Sequence, residues 1–317
     1  MGLLVGSVEA ASGSLGVKGF VALRGAGPAR TVAIRRSEWG RHDGASTTRQ
    51  HEGWRSGCRG LCATRYAARA LNLILLLDED FTSSDHVRLL GRRAKHVHEV
   101  HRAAVGDELV VGRLGGQIGR GRVLSVSKDE VSLAVELDSA PPAPSPVALI
   151  LAMPRPKMLK KVLQAIASLG IKRLVLLNSF RVEKSYFDSP LLAEEKVREH
   201  LLLGLEQGRD TVLPEVRVRR RFKPFVEDEL DAFCAAGSKR LIAHPIADTG
   251  IEGCEVGAGA EPAVVAIGPE GGWIPYEVEL LEQRGFQRFT LGPHILRVDT
   301  AVPYVVGQVD LARRLAR

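Results

Sequence analysis

"VALILAMPRPKMLKKVLQAIASLGIKRLVLLNS", residues 147–179, decides the fold class. The run 147–154 is apolar without alternation and too short for a helix, so it reads as a strand buried on both faces. Pro156 then opens a helix and Gly170 ends it, with Leu159, Val162, Leu163, Ile166 and Leu169 on one face. "IKRLVLLNS" reads as a second buried strand. A strand, a helix and a strand in direct succession predict a crossover unit and a mainly parallel sheet.

The alternation continues downstream. "EVRVRR", "RLIAHP", "AVVAIGP" and "FQRFTLG" read as strands, with helices over roughly 191–207, 226–236 and 274–285. A last helix is expected from about residue 300, with Thr300 as its N-cap and Pro303 in its first turn. Ligands of such sheets bind beyond the carboxyl ends of the strands. "AHP", "IGPEGGW" (267–273) and "LGPHILRVDTA" (291–301) fall there. Glycine permits close backbone approach and positive φ, and proline fixes the bend. Bare N–H and C=O groups at neighbouring strand ends suit the edge of a planar ring, as in a nucleoside-type cofactor. Two tight strand-to-helix turns without a ligand are the plainer alternative. Neither G-x-G-x-x-G after the first strand nor G-x-x-x-x-G-K-[ST] occurs, which argues against the ordinary dinucleotide and P-loop sites.

Upstream the signals are shorter. "LNLILLL" (71–77), "DELVVGRL" (107–114), "GRGRVLSVS" (119–127) and "EVSLAVEL" (130–137) read as strands, with a hairpin turn at "GRLGGQIG". One helix fits 92–102, and together these predict a small β-barrel over 71–140. "DSAPPAPSP" (138–146) is a proline-rich linker, so the boundary falls at 141–146 and the α/β domain runs over 147–317.

The formal charge of +7 is misleading. Residues 1–70 hold 11 Lys and Arg against 4 Asp and Glu, and the remaining 247 residues hold 33 of each. Any polyanion site in the folded body is therefore a local patch. The first 70 residues are rich in Gly, Arg, Ser and Ala without an apolar period, so a basic, unfolded extension is expected. It reads as an upstream segment from an early start codon, an Arg-rich targeting peptide, or an RNA-binding arm. Four irregularly spaced cysteines give neither a disulfide framework nor a zinc site, and no apolar run spans a membrane. A cytoplasmic protein without metal is expected.

"IGPEGGW" followed by "LGPHILRVDTA" resembles the paired motif of the 16S ribosomal RNA uridine N3-methyltransferases of the SPOUT superfamily. The likeness extends to 151–187, to "LEQGRDTVLPEV" (205–216) and to "GRRAKHVHEVHRAAVGDELVVG" (91–112). It implies a PUA-like RNA-binding barrel followed by an α/β domain tied in a trefoil knot. It also implies a homodimer that uses S-adenosylmethionine to methylate one uridine of 16S rRNA in the 30S subunit. The family's usual arginine and glutamate in the last motif are His294 and Asp299 here. The rival activity is another SPOUT methyltransferase, acting on transfer RNA or ribose 2′-O. The rival outside enzymes is a catalytically inactive RNA-binding module.

The resemblance assigns the cofactor loops to His244, Pro245, Ile267, Gly268, Pro269, Glu270, Gly271 and Gly272, then Leu291, Gly292, Ile295, Leu296 and Thr300. Arg297, with Glu206 and Arg209, is the catalytic candidate; its plainer role is an ion pair within the domain. Arg92, Arg93, His98, His101 and Arg102 are the RNA-binding candidates. His96, His98 and His101 do not converge on one helical face as metal ligands would.

Overall fold

The computed structural model describes residues 72–257 and 262–316. The expectations for residues 1–70 lie outside the described residues. Two sheets fall within one compact unit.

The larger sheet is wholly parallel. It comprises β6 (Val147–Ala152), β7 (Arg173–Leu177), β8 (Glu215–Arg219), β9 (Lys239–Ala243), β10 (Ala263–Ile267) and β11 (Gln287–Phe289), in the spatial order β11-β9-β10-β6-β7-β8. Every residue of β6 and β10 is buried, as central strands covered on both faces require. The chain steps outward from β6 to β8 and then restarts on the other side of β6, so strand order reverses between β6 and β10. Helix α2 (Pro156–Ser168) buries Leu159, Val162, Leu163 and Ile166 as expected, starts with Pro156 at its first turn, and ends before Gly170 at φ 72°. It packs on α3 (Glu194–Gly208) and on the last helix, α7 (Val298–Leu315). A Cβ on Gly204 would stand 2.3 Å from the Gln164 carbonyl oxygen, so the α2–α3 contact needs that glycine.

The smaller sheet has the order β1-β3-β4-β5-β2: β1 (Ile74–Leu76), β3 (Glu108–Arg113), β4 (Ile118–Val126), β5 (Glu130–Ser139) and β2 (His86–Leu90). Only β1–β3 is parallel. β1 and β2 are its edges, so strand pairing among the described residues leaves the expected barrel open. Alternation along the chain at β1 divides its side chains between two cores. Leu73 and Leu75 join the core of the parallel sheet, and Ile74 and Leu76 join that of the smaller sheet.

Four local readings need correction. β2 escapes a search for apolar runs because only Val87 and Leu89 of its five residues are buried. The helix expected over 92–102 is α1 (Gly91–His96) followed by a π-turn at Val97–His101. The wider turn brings residues five apart together, and the His96 and His101 rings meet edge to face at 4.9 Å. The last helix starts at Val298 with Arg297, not Thr300, as N-cap; Pro303 is therefore inside the helix, where it removes a backbone donor. The helix expected over 226–236 is broken into α4 (Phe222–Pro224), a π-turn and α5 (Leu230–Phe233), whereas that near 274–285 is α6 (Pro275–Gln283). Among the described residues no helix is long and apolar enough to cross a membrane, and Cys234 and Cys254 are buried free thiols.

Two histidines make stability pH-dependent. Burial holds His200 below its ordinary value, and burial together with the neighbouring His101 does the same for His96. Glu199 opposes the shift at His200, whereas Lys160 and Lys196 reinforce it; at His96, Glu206 opposes and Arg92 reinforces. Because both folded values are depressed, the unfolded chain takes up protons first. Their contribution is complete above the unfolded value of 6.5 and is lost as pH falls through the folded values. The expected result is a melting temperature that declines below about pH 6.5, with a shallower decline in the His96→Gln, His200→Gln double variant. Parallel curves for the two proteins would assign the acid sensitivity elsewhere.

Candidate functional site

Because all six strands run the same way, the ends of β9, β10 and β11 open on one edge. A cleft of about 270 Å³ lies there. The segment after β9 contributes His244 and Pro245. The His244 N–H donates to the Phe289 carbonyl at 2.9 Å, and its Nδ1 accepts from the Ile246 N–H at 3.1 Å. The loop after β10 contributes Ile267, Gly268, Pro269, Glu270, Gly271 and Gly272, and the segment after β11 contributes Leu291, Gly292, Ile295 and Leu296. Twelve of the thirteen residues expected around a cofactor thus share one cleft. Thr300 is the exception; it is exposed in the first turn of α7.

Glycine has two separate uses here. Gly272 and Gly292 have φ of 76° and 109°, which side-chain-bearing residues rarely adopt. A Cβ on Gly292 would meet no atom within 4 Å, so that residue faces open space. Gly268 instead makes room for Trp273, whose ring would lie 3.0 Å from a Cβ at 268. Trp273 is buried against the cleft and was absent from the expected residues although it closes the quoted motif.

The loop after β10 is held from the far side of the strand reversal. Arg155, after β6, pairs with Glu270, and the Arg181 guanidinium donates to the Gly271 carbonyl. Buried Glu277 accepts from the Phe180 N–H at 2.7 Å and from the Ile274 N–H at 3.1 Å. The last bond is the returning half of a capping box, so glutamate two positions after Pro275 was a legible signal.

Arg297 stands at the end of the segment that follows β11 and does not line the cleft. Its Nε and Nη2 donate to Asp299 Oδ1 and Oδ2 at 3.2 and 2.9 Å. Arg297 is 71% exposed at its side chain and Asp299 only 10%. Lys161 Nζ approaches Asp299 Oδ2 at 3.4 Å. The Arg297 hydrogen bond, ahead of its charge and of Lys161, lowers the Asp299 carboxyl below the usual carboxylate range.

The other expected residues lie elsewhere. Glu206 is paired with Arg92 across the two sheets' helices, at 3.2 and 3.3 Å. Arg209 follows α3 in the left-handed conformation, at φ 53°. Arg93 is engaged by buried Asp80 and the Leu75 carbonyl. His98 and Arg102 are exposed, and His101 is half-buried with no hydrogen-bond partner for Nε2 among the described residues. Among those residues no cluster of His, Cys, Asp or Glu has the makings of a metal site.

A family model described as RNA methyltransferase domain matches residues 141–310, more than half the chain. The chain belongs to that family. Within this RNA methyltransferase domain lie the parallel sheet and the whole glycine-lined cleft. A relative from Treponema pallidum (strain Nichols), Ribosomal RNA small subunit methyltransferase E, is 29% identical over 73% of this chain and 87% of its own. One of the same name from Mycobacterium bovis is 25% identical over 70% of this chain and 84% of its own. The solved structure of a Ribosomal RNA small subunit methyltransferase E from Neisseria gonorrhoeae, bound to S-adenosyl methionine, shares the fold. Its TM-score is 0.60 at 19% identity, covering 77% of this chain and 97% of that one. A Legionella pneumophila methyltransferase in complex with SAM gives 0.59 at 23% identity, covering 76% and 97%.

Proposed function

We propose that this protein methylates N3 of a uridine in small-subunit ribosomal RNA, using S-adenosylmethionine. The observation that carries the reading is the cleft made of glycine-rich backbone at three adjacent strand ends, in a chain of the RNA methyltransferase family whose relatives bear that name. The residues present fit the cofactor: backbone without side chains at Gly268, Gly271 and Gly292 lines the cleft, and the open space at Gly292 leaves room for an adenine ring. S-adenosylmethionine, when bound, supplies an electrophilic methyl group. The protein's task is alignment and charge. Arg297, fixed by Asp299, stabilises the negative charge that spreads onto the uracil carbonyl oxygens as the N3 proton leaves. Lowering the pKa of that N3 proton by two units requires about 2.7 kcal/mol of differential stabilisation of the anion. The target base must be unpaired or flipped from its stack.

On this reading the small sheet is a PUA-like RNA-binding module with Arg92, His98, His101 and Arg102 toward the RNA, the strand reversal is threaded as a trefoil knot, and Glu206 and Arg209 lie on the substrate side. The protein acts in the cytoplasm on the 30S subunit. The test is mass-spectrometric mapping of 3-methyluridine in 16S rRNA from cells lacking the gene. A fully retained 3-methyluridine would end the proposal, and a lost transfer RNA or 2′-O-methyl mark would install the rival activity.

A homodimer belongs to the same reading. Tyr304, Leu311 and Leu315 are exposed on α7 at one helical face, and Ile295 at the cleft is 89% exposed. Such a stripe suits a second copy of the chain. Wild type is expected to sediment as a dimer at micromolar concentration and the Leu311→Glu, Leu315→Glu variant as a monomer with reduced methylation. A monomeric, fully active wild type would refute it.

A further inference from the structure

We infer that the cavity between α1, α2 and α3 is a second RNA site, which holds a nucleotide flanking the methylated uridine. This rests on the methyltransferase reading above. The cavity measures about 520 Å³ and is separate from the glycine-lined cleft. Its chemistry is uneven in an informative way. Arg92 on α1 and Lys161 on α2 both line it, whereas Glu206 is the one carboxylate on its wall among the described residues and is already held by both Arg92 Nη atoms. His96 is neutral there, because burial and His101 hold it below its ordinary value. Two cations thus face one carboxylate on the cavity wall, and Lys161 is also within reach of Asp299 just outside it.

Three side-chain amides complete the lining: Asn72, Gln164 and Gln207. None has a hydrogen-bond partner among the described residues, and none is aligned along a helix surface as a mere solvated face would be, since they come from β1's approach, α2 and α3. Each amide offers a donor and an acceptor side by side, the pattern that pairs with the edge of a nucleobase. Two cations beside them suit the phosphate. A metabolite with only an anionic group would leave the three amides unmatched. The combination selects a nucleotide.

The cavity's position says which nucleotide. Lys161 lines it and also reaches Asp299, which holds Arg297 beside the segment that follows β11. One chain of three side chains thus joins the cavity to the rim of the cofactor cleft. A strand of RNA occupying the cavity is continuous with a base presented at Arg297, so the occupant is a neighbour of the target and not the target itself. Recognition of a neighbour would let the protein choose one uridine among many of the same chemistry.

The test uses the full chain and a fragment of small-subunit rRNA carrying 4-thiouridine at positions around the target. Irradiation is expected to link a flanking thiouridine to the peptides that contain Gln164 or Gln207, and the Gln164→Ala, Gln207→Ala variant should lose that link. The same variant should raise KM for the RNA about tenfold, the scale of one or two lost hydrogen bonds, with S-adenosylmethionine affinity unchanged. Both amides lack partners, so the variant should melt with wild type. Crosslinks confined to other peptides, or an unchanged KM in the variant, would overturn the inference while leaving methylation intact. A wild type that crosslinks at these peptides but does not methylate would instead remove the proposed activity and keep the site.

Discussion

Replacing Arg297 by alanine is expected to lower kcat about a hundredfold, the scale for one lost electrostatic donor at a reacting centre. S-adenosylmethionine affinity should stay within a factor of about two, because Arg297 is outside the lining of the cofactor cleft. The reasoning runs from geometry to charge. Two of the guanidinium's nitrogens are committed to Asp299, so the side chain has a fixed direction while 71% of it remains exposed to an incoming base. An arginine fixed in advance favours the anion of uracil over the neutral base, and that difference appears in turnover. Arg297→Lys should recover only part of the rate, since an ammonium cannot keep a two-point hold on Asp299 and still present donors. Asp299→Asn should cost less than Arg297→Ala, as it loosens the direction and leaves the charge. The pH dependence separates roles. The Asp299 carboxyl is held below the carboxylate range, so the pair is intact at neutral pH and is lost only as pH falls through that lowered value. The alanine variant should regain rate as pH rises toward the acidity of uracil itself. Single-turnover methylation of 30S particles across pH reads this. If saturating RNA restores the wild-type rate to Arg297→Ala, the residue is a phosphate contact and the anion-stabilising role is wrong.

The centre of the parallel sheet was legible because β6 and β10 are apolar on both faces. β6 and β10 are buried throughout, and no tertiary information is needed to see a run such as "AVVAI". β2 was not legible, since a five-residue edge strand with two buried side chains has no signal above its neighbours. The π-turn at Val97–His101 was hidden for another reason. A search at 3.6 residues per turn places His96 and His101 on different faces, and only the wider turn makes them touch. At the cofactor cleft the glycines and prolines disclosed the strand ends, because they carry backbone requirements that depend on the local chain alone. The groups that hold those loops did not disclose themselves. Arg155, Arg181 and Lys161 are ordinary surface cations in sequence; what distinguishes them is a partner far along the chain, at Glu270, Gly271 and Asp299. Thr300 illustrates the opposite error. Its hydroxyl made it the natural N-cap, yet the cap falls three residues earlier, at Arg297, whose extended conformation starts the helix without a side-chain bond.

Gly272→Val is expected to weaken S-adenosylmethionine binding at least a hundredfold while the fold survives. Gly272 sits at φ 76°, and a Cβ there would meet only the end of Arg181, at 3.8 Å. Space is available; conformation is not. A β-branched residue held at that φ costs about 1–3 kcal/mol, so the loop either stores that strain or turns the peptide away. In the second case the Gly272 N–H loses its bond to the Pro269 carbonyl, the Gly271 carbonyl loses its bond to Arg181, and the loop no longer lines the cleft in its present shape. The rest of the protein is insulated, because the buried residues of β10 end at Ile267 and Glu277 anchors the chain beyond the loop. A loss of about 1–3 kcal/mol lowers the melting temperature of a chain this size by roughly 2–4 °C per kcal/mol, which leaves it folded at 25 °C. The size of the effect should follow the tolerance of each residue for positive φ, with Asn closest to Gly, Ala next and Val last. Gly268→Val acts through a different contact and serves as a second probe. Its side chain would press on the Trp273 ring, displacing a buried residue that forms part of the cleft wall. Isothermal titration with S-adenosylmethionine, alongside far-ultraviolet circular dichroism of each variant, measures both. Folded Gly272→Val and Gly268→Val proteins that bind with wild-type affinity would show that the cofactor is held elsewhere, and the backbone cradle would have to be abandoned as its site.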